Sequence, residues 1–220
     1  MVNQALDSNK LRKLLAIDLD GTLLTDDKKI TGKTLYCLHE VKKYGAKICI
    51  ATARTFDSAK RVTDCYNLDL PIICSNGALI KESLSLNEYH LVTIKSKDVE
   101  QLIEHANEMN IPISFYTEKD WYINKVTQSF ESYGKRNNIK ACLINKAQDL
   151  QDLRILKIMF RGNHEEMEEV ERWSKKNNLE LNLIYSDDCC IDITHKDASK
   201  GNALKKLAEI FGYKKQEIIV

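Results

Sequence analysis

The chain has 220 residues, 43% of them hydrophobic, with 33 Lys and Arg against 32 Asp and Glu and a net charge of +1. Such a length and apolar content suit one large domain or two small ones with an ample core. The near-balanced charge excludes a polyanion-binding field. Basic runs are isolated pairs such as Lys42-Lys43 and Lys175-Lys176, so nucleic acid is not expected as a partner.

No stretch approaches the ~20 apolar residues of a membrane span. Met1 to Leu15, MVNQALDSNKLRKLL, lacks the apolar run of a signal peptide. The seven cysteines, at 37, 49, 65, 74, 142, 189 and 190, form no CxxC and no metal-ligand spacing. An odd, unpatterned set points to a reducing, cytoplasmic location. Cys49 and Cys74 lie in apolar runs, where a thiol packs as a small hydrophobe. Cys189 and Cys190, adjacent on a strand, face opposite ways. His164 beside Glu165 and Glu166 reads as a solvated helix start rather than a zinc site.

In chain order, Leu14 to Ile17 is an apolar run suited to a short buried strand. Asp18 and Asp20 follow, with Gly21 and Thr22 after them. Side chains alternate along extended backbone, so the two aspartates start out pointing the same way while Leu19 points into the core. Two unpaired carboxylates converging at a strand end repel, and a chain tolerates that where a cation or a reaction uses them. The bland alternative is an Asp-Gly hairpin turn. The polar stretch Thr25 to Lys29 is a poor returning strand, which weakens it.

Thr31 is suited to N-cap a helix whose Leu35, Leu38 and Val41 share one face, with Gly45 as its stop. Ala46 to Ala51 reads as a second buried strand, followed by Thr52-Ala53-Arg54. A helix from about Thr55 to Tyr66 leads to a third strand, Leu70 to Cys74, ending in Ser75-Asn76-Gly77-Ala78. This alternation predicts a parallel sheet with right-handed crossovers, in which ligands sit at the carboxyl ends of the strands. All three polar triplets fall at those ends. Thr52 reads almost equally well as an N-cap, and Asn76-Gly77 as a hairpin turn.

From Lys81 to about Asp188 the pattern changes to mixed strands and helices. Strands are predicted at Tyr89–Ile94, Pro112–Tyr116, Trp121–Asn124, Ile155–Phe160, Leu179–Tyr185 and Cys189–Ile193. Helices are predicted at Asp98–Met109, Val126–Asn137 and after Asn163. Ser199 then N-caps a helix to Phe211, with Ala203, Leu204, Leu207, Ala208 and Phe211 inward. Lys200 falls in its first turn, where a cation is disfavoured by about 0.3–1 kcal/mol. A nearby anion would account for it. A surface lysine at a helix start is the bland reading.

DLDGTLL resembles the nucleophile motif of the haloacid dehalogenase-like hydrolases, and most closely their Cof-type sugar-phosphatase branch. Thr52-Ala53-Arg54 is similar to that family's ATGR segment, with Ala53 where glycine is usual. SNGA matches its next loop, and Ser199 to Leu204 (SKGNAL) its lysine segment. The resemblance implies that Asp18 attacks phosphorus to form an aspartyl-phosphate and that Asp20 is general acid, then base. It implies that Thr52 binds the transferring phosphoryl and that Lys200 neutralises nucleophile and phosphate. Arg54, Asn76 and Gly77 would meet the substrate, a small phosphorylated metabolite such as a sugar phosphate. Magnesium is the implied cofactor, on the Asp18 carboxylate and the Asp20 carbonyl.

The expected fold is α/β: a doubly wound, Rossmann-like parallel core over residues 1–80 and 190–220, with an α/β cap over 81–189 that closes on the site. Glu217 to Val220 reads as the beginning of a fourth core strand. In the family such a strand leads to an acidic GDxxND-type loop with further magnesium ligands, and the sequence ends before one. Weak magnesium binding and little or no phosphatase activity of these 220 residues are the corresponding expectations. The alternative function is a non-catalytic relative that binds or regulates. Nothing in the residues speaks to oligomeric state.

Overall fold

The computed structural model describes residues 12–144 and 146–220. The first eleven residues, which carry most of the reading of the N-terminus, lie outside the described ones. The chain runs through β1 (Leu14–Ile17), α1 (Gly32–Lys43), β2 (Lys47–Ala51), α2 (Phe56–Cys65), β3 (Pro71–Cys74), β4 (Leu79–Glu82) and β5 (Glu88–Leu91). It continues through α3 (Ser96–Glu108), β6 (Ile113–Tyr116), β7 (Trp121–Ile123), α4 (Gln128–Asn137) and β8 (Ala141–Leu143). β9 (Lys157–Arg161), α5 (His164–Lys176), β10 (Leu181–Asp187) and β11 (Cys190–His195) follow, then α6 (Lys200–Phe211) and β12 (Ile218–Ile219).

Two six-stranded sheets result. The first has the order β12-β1-β2-β3-β4-β5, parallel from β12 to β3 and antiparallel beyond it. Its strands bury both faces, so apolar residues run on without polar alternation. Leu14, Ala16, Cys49, Ala51 and Ile73 pack on one side against Ala203, Leu204, Leu207 and Ala208 of α6. Ile48, Ile50, Ile72 and Cys74 pack on the other with Leu38 of α1 and Phe56 and Ala59 of α2. Helices on both faces make the sheet doubly wound. Thr31 and Ser199 cap α1 and α6 through their hydroxyls, as their positions predict, and Gly212 ends α6 in the left-handed region at φ 72.

The second sheet, ordered β10-β11-β9-β6-β7-β8, is antiparallel except where β7 meets β8. One face carries Ile113, Phe115, Ile158, Phe160, Ile191 and Ile193 under α3 and α5. The alternate residues Lys157 and Asp192 point the other way, toward the first sheet, where they meet Ala53 and Asn76.

Sheet membership departs from the expected division at residues 80 and 190. Glu88–Leu91 belongs to the first sheet, because a turn at 83–87 brings it back on β4. Buried Ser83 fastens that turn, accepting from Leu70 N at 3.0 Å and donating to Leu68 O at 3.1 Å. Cys190–His195 belongs to the second sheet, paired with β9 and β10. β8, three residues long on a sheet edge, was not anticipated.

The loop after β3 sets the distance between β3 and α6. Ser75, Asn76 and Gly77 have φ of 48, 57 and 99, three left-handed residues in succession. A Cβ at Gly77 would lie 2.3 Å from Ser199 O and 2.9 Å from Lys200 N. Only glycine lets the loop touch the start of α6. Gly77→Ala is therefore expected to destabilise the fold by about 2–4 kcal/mol, from left-handed strain plus overpacking. The measurement is a lowered denaturant midpoint at an unchanged m-value.

Candidate active site

The carboxyl ends of β1, β2 and β3 meet the first turn of α6 at one place. β1 ends at Ile17, and the chain turns at once: Leu23 N donates to Asp18 O at 3.1 Å and Leu24 N to Leu19 O at 2.9 Å. Gly21, at φ 75, allows the turn. Leu19 is fully buried, anchoring the two aspartates from below. Burying such a side chain contributes about 1.5–3 kcal/mol.

Asp18 is held by two donors. Its Oδ1 accepts from Leu19 N at 2.7 Å, and its Oδ2 from Lys200 Nζ at 2.9 Å. The first-turn lysine, misplaced for its own helix dipole, thus has its anion 182 positions away in the chain. Asp20 has a different environment. Arg54 grips both its oxygens, Nε to Oδ2 and NH2 to Oδ1, each at 2.7 Å. Lys28 Nζ adds a contact to Oδ1 at 2.8 Å. The Arg54 hydrogen bonds, opposed by partial burial and helped by Lys28, hold the Asp20 carboxyl down at about 2.

Thr52 is buried and caps no helix: Thr55 occupies the N-cap of α2, and Thr52 Oγ1 accepts from Arg54 N at 3.2 Å. Backbone bonds tie this segment to the next loop, Ser75 N to Arg54 O at 2.7 Å and Asn76 N to Thr52 O at 3.3 Å. Asn76 directs its amide toward Asp192 Oδ2, at 3.5 Å. The loop is also the connection between antiparallel β3 and β4, so the hairpin reading of Asn76-Gly77 holds alongside its place at the site.

Five of the anticipated residues thus sit in two linked clusters, Asp18 with Lys200 and Thr52-Arg54 with Asp20. Asn76 and Gly77 connect them to the second sheet and to α6. Each of the two carboxylates has a cationic partner, Lys200 for Asp18 and Arg54 for Asp20. Sequence reasoning missed Lys28, Lys157 and Asp192. Lys28 sat in a stretch read only as polar. Lys157 and Asp192 interrupt the apolar runs Ile155 to Phe160 and Cys190 to Ile193, and a charge inside such a run is a signal of a buried pair. Lys157 Nζ lies 3.2 Å from Asp192 Oδ2 and 3.5 Å from Ala53 O.

As a magnesium site the donor chemistry fits at Asp18. It is a hard oxygen ligand, partly exposed, with acceptor capacity beyond the two donors it already has. The Asp20 carboxylate does not fit, because both its oxygens are engaged by cations; any contribution of Asp20 would come from its carbonyl. Among the described residues no group of three or more His, Cys, Asp or Glu is arranged to hold a metal ion.

A profile of the haloacid dehalogenase-like hydrolases matches residues 15–220. YxeH of Bacillus subtilis, a candidate phosphatase by name, is 29% identical over 94% of this chain and 79% of its own length. TM0651 of Thermotoga maritima superimposes with a TM-score of 0.82 at 23% identity, over 94% of this chain and 78% of its own. The subclass IIB sugar phosphatase BT4131 gives a TM-score of 0.78 at 19% identity, over 94% and 78%. At those identities the two structures establish a shared fold. Among the described residues no helix is long and apolar enough to cross a membrane.

The Asp20 pair carries a pH signature. A carboxyl lowered from 3.8 to about 2 adds stability that is complete above 3.8 and is lost as pH falls through about 2. Solvent screening keeps the effect small, because the Asp20 side chain is 41% exposed. Arg54→Gln is expected to flatten that acid-side slope, so that wild type and variant converge in denaturant midpoint at the acid end. A constant gap across the window would show that the pair does not set the Asp20 titration.

Proposed function

Because the chain belongs to the haloacid dehalogenase-like hydrolases, we propose that it is a magnesium-dependent phosphomonoesterase acting on small phosphorylated metabolites, sugar phosphates foremost. The observation that carries this reading is the contact of Lys200 with Asp18 at 2.9 Å. A cation set against its own helix dipole beside a strand-end carboxylate suits a place where further negative charge arrives. BT4131, of like fold, is by name a sugar phosphatase. The odd, unpatterned set of seven cysteines supports a reducing cytoplasm.

In the proposed reaction an Asp18 oxygen attacks phosphorus, and the ester oxygen leaves with a proton from Asp20. Water then attacks phosphorus of the aspartyl-phosphate, Asp20 takes its proton, and phosphate departs as the Asp18 carboxylate is restored. Lys200 holds Asp18 in line and offsets the phosphoryl charge. Thr52, buried and fixed by the Arg54 amide, offers its hydroxyl to the phosphoryl oxygens. Magnesium, when bound at Asp18 and the Asp20 carbonyl, supplies charge neutralisation of the phosphate. Asp20 carries no proton while Arg54 grips it. Transfer of Arg54 to the incoming phosphate removes the largest cause that holds the carboxyl down and leaves Lys28 opposed by partial burial.

Hydrolysis of p-nitrophenyl phosphate with and without magnesium tests the reading. Asp18→Ala is expected to abolish turnover, and a wild-type rate in that variant would exclude covalent catalysis at Asp18. Asp20→Asn is expected to slow turnover by about 10²–10⁴-fold, the usual worth of general acid–base catalysis. Lys200→Ala is expected to weaken binding of inorganic phosphate, followed by calorimetry, while thermal stability stays near wild type. A sharp loss of stability with phosphate affinity intact would make the lysine structural.

A further inference from the structure

Between the two sheets, opening beside Asp20, lies a cavity of about 890 Å³. Its walls carry Lys28, Lys29, Arg54, Arg61, Arg136 and Lys157, against one carboxylate, Asp20. In a chain of net charge +1 this is a local surplus. Lys28 and Arg54 share Asp20. Lys157 has Asp192 behind it at 3.2 Å. Burial works to lower the Lys157 pKa, but the Asp192 carboxylate more than offsets this, so the wall keeps a charged ammonium.

Among the described residues the other cations, Lys29, Arg61 and Arg136, form no ion pair with a carboxylate. Arg61 donates only to carbonyls, Asn137 O and Asn138 O, each at 3.2 Å, at the carboxyl end of α4. Among the described residues Arg136 has no carboxylate partner, although it lines the same cavity one residue before Asn137. The two arginines come from opposite sheets' helices, α2 and α4. Arg61 lies five residues into α2, roughly 7–8 Å along the axis from its start near Arg54. One phosphoryl group at Asp18 cannot serve both that end of the cavity and the nucleophile. A cavity of this size also exceeds the need of a small leaving group. Guanidinium forks facing one space suit a second phosphate, which accepts bidentate bonds and carries the charge they lack.

We propose that the substrate is a bisphosphorylated metabolite, its second phosphate held between Arg61 of α2 and Arg136 of α4 with Lys157 in the wall beside it. Asp192 is a positioning residue that fixes Lys157. The inference rests on the phosphatase reading for the first phosphate and adds the class of leaving group. Because the grip spans both sheets, binding of the second phosphate also draws them together.

The test compares two probe pairs on the intact protein with magnesium. Fructose bisphosphate and fructose monophosphate report kcat/KM; a hexane bisphosphonate and hexylphosphonate, which do not hydrolyse, report affinity by calorimetry. The bis forms are expected to be preferred by about 10- to 100-fold, the worth of one or two charge-assisted hydrogen bonds. Arg136→Gln should cut that preference about tenfold, and Arg61→Gln likewise. Arg136 is exposed, so thermal midpoints should show its variant folded. Turnover with equal kcat/KM for both sugars, or a preference untouched in both variants, overturns the inference while the phosphatase reading stands. No turnover of any ester, with the bisphosphonate preference present and lost in Arg136→Gln, would sink the phosphatase reading and uphold the two-arginine site.

Discussion

The contact between Lys200 and Asp18 is the constraint on which the site depends. Its energy is modest, since both side chains are more than a third exposed and such pairs are worth little. Its position is what counts. α6 is seated by Ala203, Leu204, Leu207 and Ala208 against β1, β2 and β3, a burial far larger than any single charge contact. That packing delivers Lys200 to the end of β1. Gly77 lets the helix start press against the loop after β3, so three strand ends and one helix are fixed by a close backbone approach.

Two carboxylates separated by one residue are given different surroundings. Asp18 has one ammonium and one backbone amide, leaving room on its oxygens. Asp20 has a guanidinium across both oxygens and a second ammonium besides. Neighbouring carboxyl groups in such different surroundings are suited to different tasks. One keeps acceptor capacity on its oxygens, and the other has both oxygens engaged by cations.

Much of this was legible because it is local. Strand alternation placed Leu19 inward and the aspartates outward, hydroxyl and amide caps placed the starts of α1, α5 and α6, and the βαβ spacing placed the parallel order. What escaped depends on partners far along the chain. Glu88–Leu91 and Cys190–His195 have compositions that suit either sheet, and only pairing decides between them. Lys157 and Asp192 are visible as charges out of pattern, but that they neutralise each other follows from β9 and β11 lying side by side. Thr52 had two readings of equal merit until the backbone amide of Arg54 took its hydroxyl.

The two sheets are joined covalently by two crossings, one after β5 and one after β11. Lys95 on the first and Lys196 on the second both pair with the carboxylate of Glu180, and Lys196 N also donates to Glu180 O at 2.9 Å. Glu180 therefore ties the two crossings to each other. The tie is made of exposed charges, whose attraction fades as counterions crowd in, with a screening length of about 10 Å at 0.1 M salt. Rising ionic strength thus weakens the side-chain tie between the two crossings and leaves the backbone hydrogen bond from Lys196 to Glu180.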